Sequence, residues 1–319
     1  MIGTDLLTET DLAELEAGFE GLRVTALGGG HGLAVALEAI LDYAGSVSAV
    51  VSVADDGGSS GRLATGLDLP PMGDIRRALL ALSPEPSLWR DLMEFRFESG
   101  DVAGHSMGNL LIATLTEITG GFEDAVGAAG RLLGARGQVI PTAPIPLTLE
   151  AEVDGVVVRG QVAVATSRGR IGLVRVLPDT AVATPAALGA IAAADQIVIG
   201  PGSLFTSLIA GLRVPGIVEA VNQAAARLVY VCNLTTQDGE TLGMSAEDHV
   251  TALCRVGGLR LPDVVVVHDG PLEVPSGLAR VEAGDESGFA VERADLARAD
   301  TEWPAHDPAR LGALLRRLA

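Results

Sequence analysis

The chain contains no lysine: all 22 of its basic residues are arginine. That absence excludes a phosphate-loop lysine and any mechanism through a lysine Schiff base. A cation that clamps a phosphate here must be arginine, and any other phosphate donor must come from the backbone. Cysteine is scarce too. Cys232 and Cys254 are too few for a disulfide framework or a cysteine-based zinc site, and a reducing, cytoplasmic setting is expected. No two histidines share metal-ligand spacing. No apolar run reaches about 18 residues without polar interruption, so no membrane span is expected. The first residues, with Asp5, Glu9, Asp11, Glu14 and Glu16, lack the basic-then-apolar order of a signal peptide. Cations are outnumbered, 22 against 41 acids, for a net charge of −19. Such a surface repels nucleic-acid backbones and anionic membranes, so neither is an expected partner.

What the chain has is apolar material. Hydrophobic residues make up 48% of its 319 positions, enough for one large α/β domain. Near-continuous Val/Ile runs predict strands at 23–28, 47–53, 138–141, 196–200, 228–232 and 263–268, as parallel strands buried on both faces require. Helical patterns fall at 32–43, 74–82, 87–97, 107–118, 123–134, 185–194, 203–211, 219–226 and 246–255. The alternation predicts a doubly wound, mostly parallel, Rossmann-like α/β sheet. Residues 147–177 interrupt it. Leu147, Leu149, Ala151 and Val153 alternate with polar residues, Asp154-Gly155 signals a tight turn, Val156 to Ala165 reads as the returning strand, and Arg170 to Leu177 adds a third. An antiparallel β insertion near 147–177 is expected within a single domain, 22–319. Residues 1–21 read as a helical extension with Thr8 as its cap. The tail from 270 to 308 reads as charged and irregular, and Leu311 to Leu318 as a short amphipathic helix.

Function is expected at the strand ends. Val24 to Leu27 runs into Gly28-Gly29-Gly30-His31-Gly32 and then into a helix. That order forms a phosphate cradle, because freed N–H groups and the positive end of the helix dipole face an anion. The spacing is not the dinucleotide G-x-G-x-x-G, since position 33 is Leu. The next strand ends in Ala54-Asp55-Asp56-Gly57-Gly58-Ser59-Ser60-Gly61. Paired acids beside glycines can accept from ligand hydroxyls or hold a cation, and can equally be plain loop caps. Pro70-Pro71-Met72-Gly73-Asp74-Ile75-Arg76-Arg77 reads as a helix start capped by Asp74, with Arg76 or Arg77 turned inward as an anion clamp or left exposed. In Gly104-His105-Ser106-Met107-Gly108-Asn109, neighbouring Ser and His lack nucleophile–base geometry and G-x-S-x-G is not matched. A helix-start loop facing a ligand, with Asn109 bonding to it, fits better than a serine hydrolase. Gly200-Pro201-Gly202-Ser203 repeats the strand, glycine loop and helix order. Cys232-Asn233-Leu234-Thr235-Thr236-Gln237-Asp238-Gly239-Glu240-Thr241 is dense in amides and hydroxyls that can read a base or sugar edge or simply face water. Asp195 reads as a cap or turn residue, Cys232 as a small buried apolar residue, and His249 and His268 as surface or capping histidines.

Together these loops resemble the YvcK/CofD-like family, the gluconeogenesis factors. The matching segments are GGGHG at 28–32, ADDGGSSGRL at 54–63, PPMGDIR at 70–76, GHSMGN at 104–109, GPGSLFTS at 200–207 and CNLTTQDGET at 232–241. They run in the family's order over about residues 23–270. The family has two branches. One is the 2-phospho-L-lactate transferase of coenzyme F420 synthesis, which uses a metal ion and a deazaflavin acceptor. The other binds UDP-sugars, notably UDP-N-acetylglucosamine, and links carbon metabolism to cell-wall synthesis and cell shape. The transferase branch carries an Asn-Thr-Gly-Asp-Asp run where this chain has Ser52-Val53-Ala54-Asp55-Asp56. The chain is therefore more similar to the binding branch. Two departures are His31 in place of the family's Thr and an inserted Met72.

The resemblance implies a non-catalytic UDP-sugar sensor. Gly29, Gly30, His31 and Gly32 would face the diphosphate, with Arg76 as a candidate phosphate clamp. Asp55 would accept from ribose or sugar hydroxyls beside Asp56, and Asn109 would line the pocket. Gly200, Gly202 and Ser203 would form a second wall, and Asn233 and Gln237 would read uracil or the N-acetyl sugar. No cofactor is required, though the two acids leave room for Mg2+. A cell-wall enzyme or regulatory protein is the implied partner, and a homodimer the implied assembly. The alternatives are a phosphoester transferase of the CofD kind and an NAD-dependent oxidoreductase using the first loop with Asp55. The loop spacing and the lack of a clear hydride-transfer acid weigh against the second.

Overall fold

The computed structural model describes residues 21–57, 67–285, 288–299, 301 and 303–319. A seven-stranded sheet forms its centre, in the order β10-β9-β8-β7-β1-β2-β3. The strands are β1 (Arg23–Gly28), β2 (Ser46–Val51), β3 (Gln138–Pro141), β7 (Gln196–Ile199), β8 (Arg227–Val231), β9 (Val264–His268) and β10 (Val291–Ala294). Every pairing in it is parallel. Val24 to Gly28 and the whole of β7 and β9 are buried without alternation, because helices cover both faces. The chain lays down β1, β2 and β3 in one direction, returns to place β7 against the other side of β1, and continues outward to β10. The reversal puts a topological switch point between β1 and β7.

The helices supply that cover. α1 (Gly30–Leu41) packs against both α2 (Gly73–Ala81) and the last helix of the chain, Pro308–Arg317. α3 (Leu88–Glu94) and α5 (Phe122–Leu133) flank α4 (Met107–Thr119). Ser106 caps α4 by accepting from the Asn109 N–H, and Gly120 ends it in the left-handed conformation.

The insertion is a three-stranded antiparallel sheet in the order β5-β4-β6, with β4 at Thr148–Val153, β5 at Val156–Arg159 and β6 at Ile171–Leu177. Leu149, Ala151, Val153, Val174 and Val176 join the main hydrophobic core. The returning strand stops earlier than its sequence suggests. Residues Gln161–Thr166 form helix α6 instead, because the distant Asp56 carboxylate accepts from the Gln161 and Val162 N–H groups at 2.9 and 3.0 Å. The tail is also less irregular than expected, since β10 adds a parallel edge strand within it. Beyond it run α7 (Pro185–Ala193), α8 (Leu204–Leu212, whose first turns are π-helical), α9 (Ile217–Gln223), α10 (Ala246–Arg255) and α11 (Pro308–Arg317) in chain order. The helical extension expected over 1–21 lies outside the described residues except at Gly21. No single described helix is long and apolar enough to cross a membrane.

Candidate functional site

The two glycine loops meet at the switch point. The first leaves β1 at Gly28 and enters α1 at Gly30, and the second leaves β7 and enters α8. They touch so closely that a Cβ on Gly32 would overlap the Pro201 carbonyl. Only glycine permits that approach. Asn233, just past β8, holds the second loop from the other side: its Oδ1 accepts from the Gly202 N–H and its Nδ2 donates to the Gly202 carbonyl, both at 2.9 Å. Gln237 Nε2 reaches Ser203 Oγ at 3.3 Å. Gly200, Gly202, Ser203, Asn233 and Gln237 are therefore one connected unit, with the two amides spent on the shape of the loop.

An acid absent from the expected set completes this wall. Glu240 accepts from the Phe205 and Thr206 N–H groups at 3.0 and 3.2 Å and from Thr206 Oγ1 at 2.6 Å. It thus answers the start of α8 from within the chain. Burial pushes its carboxyl above the ordinary glutamate range, against the pull of the Thr206 and Phe205 bonds. Its sequence signal is an acid in a polar strand-end run, but nothing local says which helix it meets.

The first loop carries a similar arrangement. Gly30 begins α1 at φ +68°, and its N–H donates to Asp74 Oδ2 at 2.7 Å. Arg77 Nη1 donates to Asp74 Oδ1 at 2.5 Å. Asp74 was expected to cap its own helix; instead α2 has Met72 at its cap and Asp74 lies inside the first turn, with its carboxylate turned across to α1. That places a negative charge where two helix N-termini favour one. Gly29 is buried beside this contact, while His31 is only partly covered. Partial burial, then Arg77, hold the His31 imidazole below its ordinary value, so it is neutral near pH 7.

Asp55 and Asp56 part company. Asp55 Oδ1 accepts from the Gly57 N–H at 2.9 Å. Burial raises its carboxyl above the usual aspartate value, the Gly57 bond opposes this, and the like charge of Asp74 adds to it. Asp55 is thus in electrostatic reach of the Asp74–Gly30 contact. Asp56 is exposed and spent on α6. The rest of its run, Gly58 to Gly61, lies outside the described residues.

Arg76 turns inward, buried at 8% exposure, and its Nη1 donates to the Met93 carbonyl at 3.2 Å. Two positions along from Asp74, it points to a different side of α2, toward Met93 and Gly108. Asn109 is buried in the first turn of α4, next to Gly108. Of the surface and capping readings of His249 and His268, the surface one needs correction. His249 and His268 are not surface residues but are fully enclosed: Nδ1 of His249 meets the Ser245 carbonyl at 2.7 Å, and Nδ1 of His268 accepts from the Leu296 N–H at 2.9 Å. His268 thereby gives the Leu296 N–H an acceptor inside the core, whereas the Ser245 carbonyl also accepts from the His249 N–H. Asp195 is a turn residue that binds the Arg23 side chain and N–H, and Cys232 is buried.

Among the described residues no group of three or more His, Cys, Asp and Glu side chains is placed to hold a metal ion. A Mg2+ ion beside Asp55 would take its remaining ligands from phosphates and water, which is its usual manner of binding.

Comparison with known proteins adds a family to this geometry. The model of the family described as 2-phospho-L-lactate transferase CofD matches residues 24–302. The gluconeogenesis factor of Halalkalibacterium halodurans is 44% identical over 251 residues, 78% of each chain. That of Bacillus subtilis is 44% identical over 248 residues, 77% of this chain and 78% of the other. A crystal structure of a UPF0052-family protein from Bacillus halodurans superposes with a TM-score of 0.89 at 37% identity, covering 93% of this chain and 99% of that one.

Proposed function

The chain belongs to the CofD/YvcK family, and from that premise we propose that it binds a UDP-sugar, UDP-N-acetylglucosamine, in the cleft at the β1–β7 switch point. The observation that carries the reading is the contact of the two glycine loops, with Gly32 against Pro201, at the carboxyl edge of the sheet where α/β folds take ligands. In this reading the N–H groups of His31 and Gly32 meet the diphosphate, and Gly30 joins them when Asp74 withdraws. Asp55 accepts from ribose or sugar hydroxyls, and Asn233 and Gln237 keep the second wall in shape for the base. Neutral His31 adds an uncharged donor. The protein acts as a sensor: ligand stabilises one arrangement of these loops, and a cell-wall enzyme or regulatory protein reads it, so that carbon supply is linked to cell-wall synthesis. Such signalling requires different ligand affinities in two states. A cytoplasmic homodimer is the assembly this reading assumes.

The second reading is a transferase of phosphoester groups, favoured by the description of the matching family model. There a Mg2+ ion, held by Asp55 and the phosphates, would supply charge neutralisation at the diphosphate. Calorimetric titration with UDP-N-acetylglucosamine, with and without Mg2+, separates the two. Micromolar binding without metal and no product after overnight incubation supports the sensor. No binding of the sugar nucleotide, together with metal-dependent turnover in a phospholactyl–deazaflavin assay, supports the transferase.

A further inference from the structure

The fold pairs no described carboxylate directly with Arg76, and Glu94 and Asp74 favour its charge only from a distance. At 8% exposure the side chain is more than nine-tenths buried. Its Nη1 meets a carbonyl, its Nε is buried with no partner, and no described carboxylate forms an ion pair with it. Leaving a buried cation unpaired is costly. A lysine or histidine would shed the proton, but arginine cannot.

The unspent atoms have a definite shape. Nη1 is the nitrogen cis to Cδ, so Nε and Nη2 form the opposite, side-on edge of the guanidinium. That edge grips two oxygens of one carboxylate or phosphoryl group in parallel. The side chain runs against the first turn of α4, where a Cβ on Gly108 would lie 2.6 Å from Arg76 Cδ. In that turn the Met107 N–H is taken by the Phe95 carbonyl and the Asn109 N–H by Ser106 Oγ, while the Gly108 N–H has no intrahelical acceptor. α4 is 13 residues long, and its dipole adds positive potential at this end. Arg77 and Arg96 stand near enough to oppose the charge of Arg76. Three arginines thus gather here in a chain of net charge −19, with the Glu94 and Asp74 carboxylates in the same reach.

We propose that the Nε–Nη2 edge of Arg76 and the first turn of α4 bind one oxyanion, phosphoryl or carboxylate, at a subsite separate from the glycine-loop cleft. Positions 74 and 76 differ by about 200° around α2, so the fork faces away from the Asp74–Gly30 contact. The site goes beyond the nucleotide reading and stands if that reading fails.

The test titrates the full chain, in chloride buffer, with inorganic phosphate and separately with acetate, following heat and melting temperature. The wild type is compared with Arg76→Lys and Arg76→Met. Saturable binding of at least one anion is expected, and the tighter of the two identifies the class. Arg76→Lys loses the fork and, by the same argument, can shed its proton, so affinity should fall at least about tenfold, the equivalent of one charge-assisted hydrogen bond. Arg76→Met should melt at or above the wild-type temperature without anion, because it removes an unpaired charge, and the anion should no longer raise it. Saturating UDP-N-acetylglucosamine should leave the anion affinity unchanged. The proposal is overturned by equal anion affinity in wild type and Arg76→Met, by no saturable binding of either anion below about 10 mM, or by competition with the sugar nucleotide. It is also overturned if Arg76→Met melts far below Arg76→Lys whatever the anion, since Arg76 would then serve only to hold Met93. Failure of the sugar nucleotide to bind leaves the phosphate and acetate arms intact.

Discussion

At the scale of single residues, Gly32 joins the two loops and His306 is an acid-sensitive point of the core. A methyl on Gly32 has nowhere to go but into the Pro201 carbonyl. Gly32→Ala should cost about 1–3 kcal/mol through overpacking and weaken sugar-nucleotide binding at least about tenfold by parting the loops. Calorimetry and a thermal melt check both, and unchanged affinity would take the loop junction out of the site. His306 is buried at the start of the last segment, and burial, then neighbouring His268, push its imidazole down to about 4. The folded state therefore refuses a proton that the unfolded chain accepts below its ordinary value of 6.5. Stability from this group is intact above that value and is lost as pH falls toward 4, by about 3 kcal/mol in total. Urea melts at pH 7 and pH 4.5 should show a smaller acid loss in His306→Gln than in the wild type. None of this was legible in the sequence. Glycine at 32 was visible as a loop residue, but its neighbour at 201 is 169 positions away, and a histidine's burial depends on what folds over it.

At the scale of elements, the sequence was readable wherever a stretch carried its own signal. The Val/Ile strands announce themselves locally, and the structure places them within a residue or two. The elements that escaped are those made by distant groups. Helix α6 occupies a β-branched stretch because Asp56, more than a hundred positions earlier, caps it. Strand β10 is half charged and gains its place by pairing with β9. The helix N-termini at the cleft follow the same rule: α1 is met by Asp74 and α8 by Glu240, each from another part of the chain. The glycine loops were read as open anion cradles, yet carboxylates of the protein already stand at both. For α1 this has a measurable consequence. Asp74→Ala frees the Gly30 N–H and removes a negative charge from the diphosphate position. Metal-free affinity for UDP-N-acetylglucosamine should rise about three- to tenfold, with some stability lost as Arg77 loses its partner. A fall in affinity would instead make Asp74 a group that contacts the ligand.

For the whole molecule, topology and charge act together. The order of the strands concentrates three strand-end loops, from β1, β7 and β8, at one edge of the sheet; the loops themselves were legible because Val-rich runs lead into glycine and polar stretches, whereas the order comes from the structure. The field around that edge was not legible, since a net charge of −19 says nothing of where the 22 arginines go. The two scales of charge make opposing demands on an anionic ligand. At long range the acidic surface repels it, whereas at the cleft Arg77 and the helix ends attract it. Salt separates them, because screening shortens from about 30 Å at 0.01 M to about 8 Å at 0.15 M and removes the distant repulsion first. The association rate of UDP-N-acetylglucosamine, followed by stopped flow, should therefore increase between those two ionic strengths while the dissociation rate changes little. A decrease in the association rate would mean that the local cations already govern the approach, and that the acidic surface lies turned away from the path of the ligand.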